Sequence, residues 1–147
     1  MELTVIAIDI AKKVFQLHWV EPDAGVITRL KLKRAQVLSW FANRIPSRVA
    51  MEACGGAHEW GRELTKLGHD VRLLPPKMVR PFVHRNKTDA ADAQAIWTAC
   101  QQPGIRFVPI KTEAQQTVLA LHRLRAQLMK MRIMQTNEIR GLLYEFG

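Results

Sequence analysis

Leu3-Thr4-Val5-Ile6-Ala7-Ile8-Asp9-Ile10 is apolar almost without a break, with one acid near its end. Such a run, with no alternation in it, reads as a central strand covered on both faces. Asp9 is the exception, because a carboxylate inside a covered strand is costly unless a metal or a partner meets it. Outward from this strand, Lys12-Lys13 makes a turn, and residues 14–20 alternate, with Phe15, Leu17 and Trp19 on one face and Gln16 and His18 on the other. That is the pattern of a half-exposed strand. Glu21-Pro22-Asp23-Ala24-Gly25 has the length and composition of a hairpin loop. Residues 26–32 then alternate again, with Thr28, Leu30 and Leu32 opposite Arg29 and Lys31. Three strands joined by short turns make an antiparallel meander.

Residues 33–45 follow helical spacing, with Leu38, Phe41 and Ile45 on one stripe, Val37 beside it, and Pro46-Ser47 as the stop. Residues 48–52 are a short buried strand that ends in Glu52, followed by the tight turn Cys54-Gly55-Gly56. Trp60, Leu64 and Leu67 mark the next helix, with Gly68 just past its end. Residues 71–74 form another strand, stopped by Pro75-Pro76, and residues 77–87 are a basic connecting stretch without an acid. A helix then runs from Thr88, a candidate cap, to Cys100, with Asp89, Asp92, Ala93 and Ile96 on one face and Pro103-Gly104 beyond it. The order β-β-β-α-β-α-β-α predicts a ribonuclease-H-like α/β fold with a mixed sheet, the meander feeding a parallel half through crossover helices.

From Thr112 the chain changes character. Thr112 and Gln115 are spaced as a capping box, and no Pro or Gly follows until Gly141. Leu121, Leu124, Leu128 and Met131 recur at heptad spacing, a pattern that predicts a dimerisation or interdomain seam. A helix of ~30 residues would be ~45 Å long, too long to be covered by a domain of this size. The expected division is therefore a compact domain over residues 1–110 and a long helix over residues 111–147. The sequence stops straight after that helix, which suggests truncation.

The 147 residues can bury one proper core. The balance of 22 Lys+Arg against 13 Asp+Glu gives a net charge of +9, and the pI is about 10.2. That balance points to a polyanionic partner, DNA or RNA. Two cysteines, Cys54 and Cys100, provide neither a disulfide framework nor a CxxC zinc signature. The N-terminus lacks a basic stretch before its short apolar run, and no apolar run reaches the ~18 residues of a membrane span. A reducing cytoplasm and no membrane association are expected.

Four acids stand out against this frame: Asp9 and Glu52 at strand ends, and Asp89 with Asp92 in the first turn of a helix. Two Mg²⁺ ions ~3.5–4 Å apart can activate an attacking oxygen and stabilise a leaving one, and Mg²⁺ prefers carboxylate oxygen. The four acids therefore read as a Mg²⁺ or Mn²⁺ site acting on phosphodiesters. Individually, Asp89 and Asp92 also suit a helix dipole, and Glu52 could end a strand in solvent. Cys54 with His58 offers too few ligands for structural zinc, and a cysteine before two glycines reads better as a packed turn than as a thiol nucleophile. His18, His69 and His122 read as surface or interface residues. A sugar-kinase or actin-like reading of the first strand fails, because Asp9-Ile10-Ala11-Lys12 lacks the glycine turn that would cradle a phosphate.

Ala7-Ile8-Asp9-Ile10-Ala11-Lys12, Met51-Glu52-Ala53-Cys54-Gly55-Gly56 and Arg85-Asn86-Lys87-Thr88-Asp89-Ala90-Ala91-Asp92-Ala93 resemble the three acidic motifs of the DEDD transposases of the insertion-sequence family numbered one-ten, to which the Piv invertases also belong. Leu67-Gly68-His69-Asp70-Val71-Arg72-Leu73 and Pro76-Lys77-Met78-Val79-Arg80-Pro81-Phe82 resemble its connecting segments. The resemblance implies a RuvC-like DEDD catalytic domain over residues 1–110, with Asp9, Glu52, Asp89 and Asp92 as catalytic metal ligands, followed by a coiled-coil segment. It implies metal-dependent DNA strand cleavage and transfer, a non-coding guide RNA that pairs with donor and target DNA, a homo-oligomer (dimer or tetramer), and a bacterial cytoplasm with action at the nucleoid. Family members continue into a domain with a nucleophilic serine, which this sequence does not reach.

Lys12, Lys77, Arg80, Arg85, Lys87, Arg123 and Arg125 are the expected nucleic-acid contacts, and Leu121, Leu124, Leu128 and Met131 the expected oligomer seam. The rival readings are a nuclease or Holliday-junction resolvase of the same fold, and a non-catalytic module that binds nucleic acid and dimerises.

Overall fold

The computed structural model describes residues 3–83 and 89–147, the side chains of Asp89 and Ala90 excepted. Among these residues, β1 (Val5–Ile10), β2 (Val14–Val20), β3 (Ile27–Lys33), β4 (Arg48–Glu52) and β5 (Asp70–Leu74) form one sheet in the order β3-β2-β1-β4-β5. β1 pairs antiparallel with β2 and β2 with β3, whereas β4 lies parallel to β1 and β5 parallel to β4. The helices are α1 (Val37–Ala42), α2 (Ala57–Lys66), the single turn α3 (Pro76–Val79), α4 (Asp89–Cys100) and α5 (Glu113–Tyr144). The mixed sheet, its meander and its parallel half are those of a ribonuclease-H-like fold, as the order of elements in the sequence predicts.

β1 is central because its side chains suit both faces. Ile6 and Ile8 enter one core with Phe15, Leu17 and Trp19 of β2, Val37 and Phe41 of α1, and Trp60 and Leu64 of α2. On the opposite face, Ala7 joins Ala50 of β4 and Ala95, Ile96 and Ala99 of α4. Alanine meeting alanine across this layer lets α4 lie close to the sheet, and Trp97 Nε1 donates to the Val5 carbonyl at 3.2 Å. Each fully buried leucine, isoleucine or phenylalanine contributes roughly 1.5–3 kcal/mol, so the first layer supplies most of the cohesion and the second supplies closeness.

Several expectations are corrected. The helix placed at residues 33–45 is a 3-10 turn (Arg34–Gln36) followed by the short α1. The tighter turn shifts the helical phase, so Val37 and Phe41 are buried while Leu38 and Ile45 are exposed. β2 is covered on both faces, not half-exposed, because α4 lies over its Gln16–His18 side. His18 is therefore buried, with its ring edge-on to Trp97 at 5.7 Å between centroids. His69 is also buried: it accepts from the Ser47 backbone N–H through Nδ1 at 3.1 Å, which leaves the Nε2 proton to donate to the Phe41 carbonyl at 3.2 Å. His122 is exposed.

The connecting stretch after β5 begins as α3 and a second 3-10 turn (Arg80–Phe82), with Val79 buried. Residues 105–110, for which the sequence suggests no role, return to the sheet. Val108 N–H donates to the Leu73 carbonyl at 2.7 Å, Ile105 and Phe107 pack on the α4 side, and Val108 and Ile110 pack on the other.

The chain divides into two compact units, Met1–Ile110 and Lys111–Gly147. In the second, Thr112 caps α5: its hydroxyl accepts from Gln115 N–H at 3.2 Å and its own N–H donates to Gln115 Oε1 at 2.9 Å. Among the described residues, no helix is long and apolar enough to cross a membrane.

Candidate metal centre

Alternation along β1 sends Asp9 to the same face as Ala7, and alternation along β4 sends Glu52 to the face of Ala50. That is the face covered by α4. The parallel ladder pairs Ala7 with Ala50 and Ile8 with Met51, so its next step places Asp9 beside Glu52 at the carboxyl ends of adjacent strands. Neighbouring strands are ~4.8 Å apart, close enough for two carboxylates to share one ion. Both side chains are half-buried. Their shared field reaches Cys54, whose thiol is pushed up by burial and then by the Glu52 and Asp9 charges. A thiol so placed stays protonated at neutral pH, which opposes the nucleophile reading of Cys54.

α4 runs opposite to β1. Trp97 reaches the Val5 carbonyl at the start of β1, and Gln94 Oε1 accepts from Arg29 at 3.2 Å. Arg29 belongs to the cross-strand row Arg29–His18–Ala7, further along β1 than Val5. Moving back along the helix therefore moves forward along the strand, and the start of α4 lies toward the Asp9 end. Asp92, half-buried, is in its first turns, and Asp89 is its first residue. The Asp89 side chain lies outside the described residues, as does the proposed cap Thr88. Among the described residues, no three His, Cys, Asp or Glu side chains form a group that could hold a metal ion. The donor chemistry suits a hard cation: carboxylate oxygens on rigid elements, with no thiolate.

Lys12 is exposed in the β1–β2 turn just past Asp9, Lys77 is exposed on α3, and Arg80 is exposed at the following 3-10 turn. Arg85 and Lys87 lie outside the described residues. On α5, Arg123 and Arg125 are exposed, as are Leu121, Leu124, Leu128 and Met131. No motif in the sequence marks Arg34, whose guanidinium lies 5.2 Å from the Trp60 ring centre and 6.0 Å from that of Phe15. The Arg29–Gln94 link between β3 and α4 is likewise unmarked. Alternation along β3 places Arg29 on one face but gives no sign of which helix covers that face.

A sequence profile of the IS110-type DEDD family, described as "Transposase", matches residues 6–147. A "Probable family 20 transposase" of Pseudomonas aeruginosa is 50% identical over 147 residues, which cover 100% of this chain and 44% of that protein. The "Transposase for insertion sequence element IS1111A" of Coxiella burnetii is 44% identical over 146 residues, 99% of this chain and 40% of that protein. Among solved structures, "T. thermophilus RuvC in complex with Holliday junction substrate" aligns with a TM-score of 0.49 at 14% identity, covering 73% of this chain and 100% of that one. The chain thus spans less than half the length of the curated relatives it matches. The two sequence relatives and the profile span nearly the whole chain, and on them this chain belongs to the DEDD transposases of the IS110 type.

Proposed function

We propose that this chain carries the metal-dependent DNA strand-cleavage and transfer chemistry of its family, with Asp9, Glu52, Asp89 and Asp92 holding Mg²⁺ or Mn²⁺. The observation that supports it most is the β1–β4 register, whose next step after Ile8–Met51 would set Asp9 beside Glu52 on the face of the sheet covered by α4. When bound, such cations stabilise charge on the attacking and leaving oxygens of a phosphodiester. The protein's own part is positioning. Asp9 is paired with Gln16 in the ladder to β2 and directly follows Ile8, the last pair of the ladder to β4, so it does not swing with a loop. Glu52 closes the neighbouring strand, and the start of α4 brings two further acids together with the positive end of a helix dipole. Lys12 on one side, and Lys77 and Arg80 beyond β5, offset the repulsion between a phosphate and these carboxylates.

A non-coding guide RNA and a homo-oligomer complete the reading, and family membership is their support. Calorimetric titration of Mn²⁺ into the wild type and into Asp92→Asn tests the site. Loss of one anionic ligand is expected to weaken binding at least about tenfold, the level that outer-shell partners alone can reach, with an unchanged melting temperature. Equal affinity in the two proteins would remove Asp92 from the site.

A further inference from the structure

β3 is the edge strand on the side of the sheet away from β5. Its sequence, Ile27-Thr28-Arg29-Leu30-Lys31-Leu32-Lys33, sends Leu30 and Leu32 to the first core. Arg29, Lys31 and Lys33 therefore take the other face, and the bond from Arg29 to Gln94 of α4 fixes which face that is. All three cations are exposed. The ladder pairs Lys31 with Gln16 and Gln16 with Asp9, so Lys31, Gln16 and Asp9 lie in one cross-strand row on one face of the sheet. Two strand spacings, ~10 Å, separate the Lys31 and Asp9 backbones. Along β3 the cations recur every second residue, ~6.8 Å apart, a spacing of the same order as that between neighbouring phosphates of a nucleic-acid strand.

We propose that Lys31 and Lys33, in line with Arg29, seat the phosphodiester backbone of the DNA strand that enters the carboxylate site from the β3 edge. This rests on the metal-site reading and adds a second flank to it. Lys77 and Arg80 follow β5 at the far side of the acids, and β3 lies four strand spacings away, ~19 Å. A strand with one phosphate at Asp9 and Glu52 would thus be held upstream and downstream of the reacting bond. Lysines on an edge strand also deter edge-to-edge pairing, but that role needs a charge on either face. Here all three share the face of the acids. Arg29 is tied to the helix that carries Asp92, which links the stripe to an element that bears one of the acids.

The test is the salt dependence of binding of a duplex DNA oligonucleotide to the 147-residue chain, without divalent cation, for the wild type, Lys31→Gln/Lys33→Gln and Lys31→Arg/Lys33→Arg. Both lysines are exposed, so neither pair disturbs the core, and Arg29 is left in place because it also bonds Gln94 of α4. Each phosphate contact adds ~0.9 to the slope of log affinity against log salt on duplex DNA. The glutamine pair is expected to flatten the slope by about 1.8 and to weaken binding on the order of 50-fold at 0.1 M salt. The arginine pair should keep the wild-type slope. A glutamine pair with an unchanged slope overturns the proposal, as does a wild type that binds no DNA at low salt. A flattened slope with single-stranded RNA of the same sequence but not with DNA makes the stripe an RNA seat and overturns it as stated. Mn²⁺ titration of the glutamine pair separates the two readings, since its metal affinity stays at the wild-type value whether or not the stripe binds DNA.

Discussion

His18 lies beneath the Trp97 ring, and burial, with the Arg29 charge beside it, holds its imidazole below the usual histidine range. With the folded value depressed, the unfolded chain takes up its proton first. The contribution of His18 is then intact above about pH 6.5 and is lost as pH falls from there through the folded value. The urea midpoint is expected to fall between pH 7.5 and 5.5 in the wild type and to fall less in His18→Phe, which keeps the ring contact with Trp97. An equal fall in both would contradict the assignment. Asp70 works in a lower window. Burial pushes its carboxyl up, but hydrogen bonds from Arg48 and Arg72 and their charges outweigh this and hold it below the usual carboxylate range. Its contribution is present above about pH 3.9 and lost below it, so Asp70→Asn should flatten the acid limb alone. Neither histidine's burial was legible in the sequence. Alternation within β2 shows that His18 opposes Leu17, but not that a helix arriving some seventy residues later covers it. His69 is held by backbone groups from two distant segments, which leave no local pattern.

The strands were legible to within a residue or two, because alternation and punctuation by glycine and proline are local properties of a pleated chain. α1 was not. A 3-10 turn ahead of it changes the phase, and a stripe counted at 3.6 residues then joins Leu38 and Ile45 to Phe41 and leaves Val37 beside it, whereas Val37 and Phe41 are the buried pair. Residues 105–110 were missed because six residues that add a single bridge to β5 carry no periodicity. Two boundaries lend themselves to measurement. Gly56 precedes α2 at φ +86°, just after the turn that follows Glu52. A Cβ there would meet only Trp60 Cδ1 at 3.9 Å, an ordinary contact. The cost of Gly56→Ala is therefore that of the left-handed backbone, about 1–2 kcal/mol in urea unfolding. No loss would mean that the turn relaxes. Thr112→Ala removes the cap of α5 and is expected to cost about 1 kcal/mol locally, seen as faster amide exchange at Gln115. Unchanged exchange there would show that water replaces the hydroxyl at no cost.

For the whole molecule, α5 poses the question of association. Its 32 residues include no buried side chain, and Leu121, Leu124, Leu128 and Met131 are each at least 48% exposed. Four such residues left in water forgo roughly 1.5–3 kcal/mol each, and pairing with the same helix of a second chain would recover much of it. Sedimentation equilibrium is expected to show a dimer or tetramer for the wild type and a monomer for Leu124→Asp/Leu128→Asp. A wild type that is monomeric at high micromolar concentration would contradict the seam. The acids were legible for a different reason from the fold. A carboxylate within or closing a covered strand conflicts with burial and so stands out, whereas Arg29, Lys31 and Lys33 conflict with nothing and gain meaning only from the face of the sheet they share with Asp9. The central claim is that the four acids converge on a divalent cation. Anomalous diffraction from crystals of this chain grown with Mn²⁺ tests it most directly. The account predicts Mn²⁺ bound by both Asp9 and Glu52, with Asp89 and Asp92 completing its oxygen ligands. Carboxylates directed to different surfaces, or Mn²⁺ bound only elsewhere, would contradict it.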